Sequence, residues 1–250
     1  MPSSHLVHDL PPFDAQRNLR VVVETPRGAN IKIKYDEDLG CFSLSRILPL
    51  GVTYPYDFGF VPQTLAHDGD PLDVLVLIDA RTYPGVVISC RLLGALHVEE
   101  RGFRGRPNHR LVAVPTKAAR KDDLRNFSDL GRRMQQELER FFVMSSSFTS
   151  KDPVVRGWVG PDSAFDMVER SIARYKDRAQ GRPLRPDPEG PPPVRSAPRF
   201  LSLNPNAPSP GPATPNAPVT TAATGPTVAT GSVTSLEIAS PENPTSPPSR

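Results

Sequence analysis

The chain has 250 residues, 37% of them hydrophobic, with 30 basic and 27 acidic side chains and a net charge of +3. The imbalance is small and spread out, so a pI near 9.0 makes no case for a nucleic-acid or membrane partner. No apolar run approaches the ~20 residues of a membrane span, and MPSSHLVHDLPPFDAQ lacks the apolar core of a signal peptide. The two cysteines, Cys41 and Cys90, lie in apolar strand-like stretches and read as reduced, buried thiols. A soluble, cytoplasmic protein is the expectation.

Residues 1–17 read as a loose lead-in. Leu19 to Glu24 is a strand, closed by Thr25-Pro26-Arg27-Gly28. Ile31 to Tyr35 alternates apolar and polar, the period of a half-buried strand, and Cys41 to Arg46 is its hairpin partner. The aromatic, turn-rich stretch YPYDFGF follows. Further strands are expected at Val74–Ile78, Gly85–Leu93 and Arg110–Val114. Six short strands at close spacing, with no helix between them, predict a small antiparallel barrel. Leu130, Met134, Leu138 and Phe141 then recur at helical spacing, with Ser128 and Asp129 as cap candidates. A second helix opens near Pro161, with Phe165, Val168, Ile172 and Tyr175 on one face. Trp158 reads as a packing anchor. The folded domain is placed at 18–178. Residues 179–250 hold most of the prolines, 18 of 31, and few large apolar side chains, which predicts a disordered tail. The fold class is α+β, mainly β.

Three carboxylates fall within Asp68-Gly69-Asp70-Pro71-Leu72-Asp73, directly before the apolar run Val74–Ile78. Gly69 permits unusual backbone angles and Pro71 fixes one φ, so the turn holds its shape while the acids repel one another. Protonation or a cation must relieve that repulsion, and carboxylate oxygens suit a hard ion. An isolated DGD is more often a plain turn; Asp73, at the strand entrance, argues otherwise. An EF-hand is excluded, because the sixth position is Asp73 where that loop needs Gly.

Lys34, Arg46 and Tyr54 lie upstream as candidate anion binders, with Glu24 at a strand end. Cations beside a carboxylate-held metal suit a phosphate-rich substrate. Taken in order, these residues resemble the family I soluble inorganic pyrophosphatases. The match runs from about Val21 to Tyr175. Its most specific piece is Asp68 to Val74. Supporting pieces are VVVETP, Lys34-Tyr35, Arg46, YP followed by Gly59, GVVISCRLLGAL and RLVAVP. The resemblance implies a five-stranded OB-like β-barrel flanked by two C-terminal helices. It implies Mg²⁺-dependent hydrolysis of pyrophosphate to two phosphates, with Mn²⁺ as a substitute, in a homo-oligomer. Asp68, Asp70 and Asp73 would ligate metal, and Asp70 would also accept a proton from a metal-activated water. Lys34, Arg46 and Tyr54 would bind phosphate, with Glu24 supporting the site.

Departures from that family follow from the same alignment. Phe58 stands where a tyrosine is expected. Two further metal-binding aspartates fall on Glu100, taken as a metal ligand, and on Asn108, taken as support. Arg110 takes a substrate-binding lysine position. The loop 101–107 is longer than usual and carries Arg101, Arg104 and Arg106, whose guanidinium forks suit phosphate and would compensate for lost contacts, with a solvated Gly/Arg loop as the plain alternative. A Tyr-Lys pair falls on Ser145 and Ser146, and nearby Lys151 is left unassigned. Each lost contact to a charged oxygen is worth about 1.5–3 kcal/mol. A pyrophosphatase-like protein that binds phosphate or a partner without turnover is therefore the alternative. Nucleic-acid binding by the barrel and RGFRGR is the weakest reading, since no base-stacking aromatic array is present. Pro191 to Arg195 offers a polyproline stretch for an SH3-type partner, with a plain spacer as the simpler reading.

Overall fold

The computed structural model describes residues 7, 9–103, 105–117, 121 and 123–184. The Pro-rich segment from residue 185 onward, with its polyproline stretch, lies outside them. The described strands are β1 (Leu19–Thr25), β2 (Ile31–Asp36), β3 (Cys41–Ile47), β4 (Asp57–Phe60), β5 (Asp73–Val76), β6 (Val87–Glu100), β7 (Arg106–Pro107), β8 (Arg110–Pro115) and β9 (Pro153–Val159). The helices are α1 (Gly131–Ser145) and α2 (Pro161–Ala179). Among the described residues, no helix is long and apolar enough to cross a membrane.

Five strands close a ring in the order β1, β4, β5, β8, β6 and back to β1. The mainly-β ring and its two helices match the expected fold class. The expected antiparallel pairing needs one correction: β5 and β8 run parallel, with Val74 opposite Leu111. The intervening β6 lies on the far side of β8, so the chain returns to β5 in the same direction. The strands are buried on both faces, which explains their continuous apolar runs. Leu75, Leu77, Val112 and Val114 pack into a cluster with α1, while Val74, Val76, Leu111 and Ala113 pack into one with α2.

β6 is longer than expected. It pairs with β1, then β8, then β9, with its register to β8 shifted between Leu92 and Gly94. The strand expected to end at Leu93 continues through Gly94, which stays paired to β8 opposite Val112. Two strands had no alternating pattern to reveal them. All four residues of β4 are buried, and β9 begins on a proline, which an edge strand tolerates because the missing N–H faces no partner. The β2–β3 hairpin stands outside the ring, so Cys41 is exposed rather than buried; Cys90 is buried as expected. Neither cap candidate caps α1, whose N-cap is Leu130 with no side-chain hydrogen bond; Asn126 caps the 3-10 turn Phe127–Leu130 just before it, with Asp129 as its capping-box partner. The Asn126 side chain accepts from Ser128 N, and Asp129 Oδ2 accepts from Asn126 N at 2.8 Å. Of the expected α2 face, Val168 and Ile172 are buried and Phe165 and Tyr175 are half-buried; Ala164 and Met167 complete it. Trp158 anchors the packing, stacked on Phe127 at 5.6 Å, with its indole N–H donating to Glu139.

Candidate active site

The acid loop is tied to the ring at both ends. Thr64 Oγ1 donates to Val61 O and accepts from Leu72 N at 2.9 Å, and Ala66 N donates to Asp70 O at 2.7 Å. Gly69 takes φ +90, a conformation that side-chain-bearing residues avoid, and the turn closes around it. Asp73 opens β5 opposite Phe60, so the third acid is fixed by the sheet while Asp70 stays exposed.

The acids are partly compensated by cations from other strands. Lys34 Nζ lies 2.6 Å from Asp70 Oδ2, and Arg110 lies 2.8 Å from Asp73 Oδ2. Among the described residues, no Lys or Arg forms an ion pair with Asp68. Burial and the charges of Asp73 and Asp70 hold the Asp68 carboxyl above its usual range. Glu24 is buried at the end of β1, where it accepts from Tyr35 N at 2.8 Å. Burial raises its pKa to about 7, against that hydrogen bond, with Asp73 adding to the rise.

Beside the loop, a small pocket is lined by Lys32, Arg46, Tyr54, Phe58, Glu100 and Arg110, among others. The expected anion binders Arg46, Tyr54 and Arg110 do converge there. Lys34 does not line it and faces Asp70 instead. Sequence reading missed Lys32, although the period of two in Ile31–Lys32–Ile33–Lys34 puts both lysines on one face. The Lys32 ammonium lies 5.4 Å from the Phe58 ring, and burial lowers its pKa. Arg46 Nε is buried with no hydrogen-bond partner. Tyr54 packs against Phe58 and Phe141, and burial pushes its phenol up. Ser145 turns its hydroxyl back to Phe142 O, while Ser146 Oγ is 3.5 Å from Arg46. A larger groove of about 380 Å³, lined by Arg27, Tyr56 and Glu137, shares only Tyr54 with this pocket.

Glu100, which also lines the pocket, behaves differently from the three aspartates. Glu100 is buried, and both of its oxygens are engaged. Oε1 accepts from Lys151 Nζ at 2.8 Å and from Asn108 at 2.5 Å, and Oε2 accepts from Arg106 at 2.7 Å. Burial alone would raise its pKa, but the hydrogen bonds from Lys151, Arg106 and Asn108 bring it to about 2. Asn108 in turn accepts from Arg110. Lys151 and Arg106 stand out in the sequence as candidate phosphate partners without an assigned role. The turn before β9 brings in Lys151 and the short strand β7 after β6 brings in Arg106, and neither segment has a periodic pattern.

Among the described residues, no group of three His, Cys, Asp or Glu side chains forms a ready-made metal site. The donor chemistry nevertheless separates the two sets of acids. Asp68, Asp70 and Asp73 offer oxygen donors in mutual repulsion, which fits a hard divalent ion. Glu100, surrounded by two cations and an amide, does not.

Residues 21–176 match the family described as inorganic pyrophosphatase. The chain is 37% identical over 158 residues to an inorganic pyrophosphatase of Synechocystis, covering 63% of this chain and 92% of that one. It is 34% identical over 184 residues to soluble inorganic pyrophosphatase 2 of Chlamydomonas reinhardtii, covering 73% and 94%. The crystal structure of the Thermus thermophilus inorganic pyrophosphatase superposes with a TM-score of 0.63 at 37% identity, covering 68% of this chain and 98% of that one. The chain belongs to the inorganic pyrophosphatase family.

Proposed function

We propose that this chain hydrolyses pyrophosphate to two phosphates in the pocket between the acid loop and Arg46. One bridging P–O bond breaks as a water oxygen bonds to phosphorus. The observation that carries the reading is the convergence of Lys32, Arg46, Tyr54 and Arg110 on one pocket beside three clustered aspartates. The cations bind and orient the two phosphoryl groups, and Arg110, held by Asp73, fixes one of them. Asp70, the exposed acid of the loop, takes the proton from the attacking water. Glu24 supports the lysine strand from behind.

Asp68, Asp70 and Asp73 would hold Mg²⁺, or Mn²⁺ in its place. The bound ion would supply positive charge to the phosphoryl oxygens and make a water more acidic. The same reading includes a homo-oligomer, which sedimentation velocity on the full chain tests. The test of the activity is phosphate release from pyrophosphate by the purified chain, with and without Mg²⁺, beside Asp73→Ala. Metal-dependent release lost in the variant supports the assignment. Release no higher than the variant's, from folded protein and with Mn²⁺ also tried, overturns it in favour of a binding protein without turnover.

A further inference from the structure

Glu100 ends β6, and the two segments beside it each bring one cation to it. β7 folds back on β6 with Arg106 opposite Glu100, and β9 begins at Pro153 opposite Glu100 on the other side. Lys151 lies two residues ahead of that start. The two loops are stitched together: Arg101 N donates to Asp152 O and Gly102 N to Lys151 O, each at 3.2 Å. A Cβ on Gly102 would sit 1.6 Å from the Ser150 carbonyl oxygen, so only glycine lets the loops meet. Arg106 and Lys151 are therefore held in place by backbone as well as by Glu100.

This wall carries more positive than negative charge. One carboxylate faces a guanidinium and an ammonium, and a second guanidinium, Arg110, reaches it through Asn108. The donors are not used up. An ammonium has three N–H groups and Lys151 spends one on Glu100. Arg106 Nε is buried with no hydrogen-bond partner. Both side chains are about one-third exposed. A divalent ion seeking Glu100 would have to displace three hydrogen bonds and approach two cations within 3 Å of its ligand. An anion meets the opposite situation.

We propose that Arg106 and Lys151, positioned by Glu100, form a permanent cationic subsite that grips a phosphate of the substrate directly, and that metal is confined to the Asp68–Asp70–Asp73 wall. The inference rests on the pyrophosphatase reading for the identity of its substrate. Glu100 is then a positioning residue rather than a metal ligand. This chain binds phosphate on that wall without metal, and needs fewer ions than a site with carboxylates on both walls.

Two titrations of the full chain test it, neither of them an activity assay. The first counts bound Mn²⁺, added alone, by calorimetry. Glu100→Gln, which keeps the side-chain volume, leaves the number unchanged, whereas Asp73→Asn lowers it. The second measures inorganic phosphate binding in EDTA. Lys151→Gln and Arg106→Gln each weaken it about tenfold, the size of one charge-assisted hydrogen bond. Both are also made together with Glu100→Gln, so that no buried carboxylate is stranded and folding is kept. Loss of a Mn²⁺ site in Glu100→Gln, or unchanged phosphate affinity in both cation variants, overturns the proposal. A chain that shows the expected titrations without turning over pyrophosphate refutes the pyrophosphatase reading and leaves this subsite standing. A chain that turns over pyrophosphate but loses Mn²⁺ in Glu100→Gln does the reverse.

Discussion

Lys34 Nζ stands 2.6 Å from Asp70 Oδ2, so the exposed acid of the loop is held by a cation from β2. Burial pushes the Lys34 ammonium down, but its hydrogen bond to Asp70 and the charges of Asp70, Asp73 and Glu24 outweigh this and hold it above its usual range. Lysine and metal therefore compete for one carboxylate. Lys34→Gln is expected to bind Mg²⁺ more tightly while kcat falls about tenfold, because Asp70 loses the charged hydrogen bond that holds it in place. Metal-dependence curves of initial rate measure both. An unchanged apparent metal affinity would rule out the competition.

Tyr54 separates packing from chemistry. Its ring lies 5.1 Å from Phe141 and 5.5 Å from Phe58, and the residue is 3% exposed. Tyr54→Phe keeps those contacts and removes only the hydroxyl. Its melting temperature is expected to stay within a degree or two, while KM for pyrophosphate rises about three- to tenfold, the scale of one hydrogen bond. Tyr54→Ala also empties the cluster and costs about 3–5 kcal/mol, read by chemical denaturation. Equal KM in wild type and Tyr54→Phe would leave Tyr54 a packing residue.

The acid loop was legible because three carboxylates, a glycine and a proline occupy six successive positions before an apolar run. Its neighbours were legible only in part. Lys32 and Lys34 share a strand face, and sequence alone does not say which one the hairpin turns into the pocket. Arg106 opens the two-residue β7 and Lys151 lies in the turn before β9, 45 residues apart and without a period to mark them, and they meet only because β7 and β9 both pair with β6. Strand β4 was hidden for the opposite reason: burial on both faces removes the alternation that marks a strand.

Buried His97 stacks on His109 with ring centroids 4.2 Å apart, and neither ring nitrogen of His97 has a hydrogen-bond partner. Burial lowers His97 to about 4 from an ordinary 6.5. The unfolded chain then takes up the proton first as pH falls. His97 contributes its full stability above pH ~6.5 and loses it between there and pH ~4. The loss reaches about 2 kcal/mol at pH 5. His97→Leu removes the titration, so its stability relative to wild type is expected to be higher at pH 5 than at pH 8. Parallel urea curves at the two pH values measure this, and an equal difference at both would exclude His97 as the source of acid sensitivity.

Glu24 shifts the opposite way and has the opposite consequence. The residue is 4% exposed, and its folded pKa of about 7 stands above the ordinary 4.5. Between those values the native state holds a proton that the unfolded chain has released. Stability from this group is therefore fully present below pH ~4.5 and lost as pH rises through 7, a difference of about 3 kcal/mol. Glu24→Gln mimics the protonated form and keeps an oxygen to accept from Tyr35 N. In metal-free buffer the variant is expected to match wild type near pH 4.5 and to melt several degrees higher at pH 8. Activity moves against stability. The lost negative charge lies near Lys32 and Lys34, whose ammonium groups it helps keep protonated. kcat/KM at pH 8 is expected to fall while the melting temperature rises. Thermal melts and initial rates on the same preparation check the pair, and a variant that gains stability with no loss of rate would show that Glu24 plays no part in holding the cationic strand.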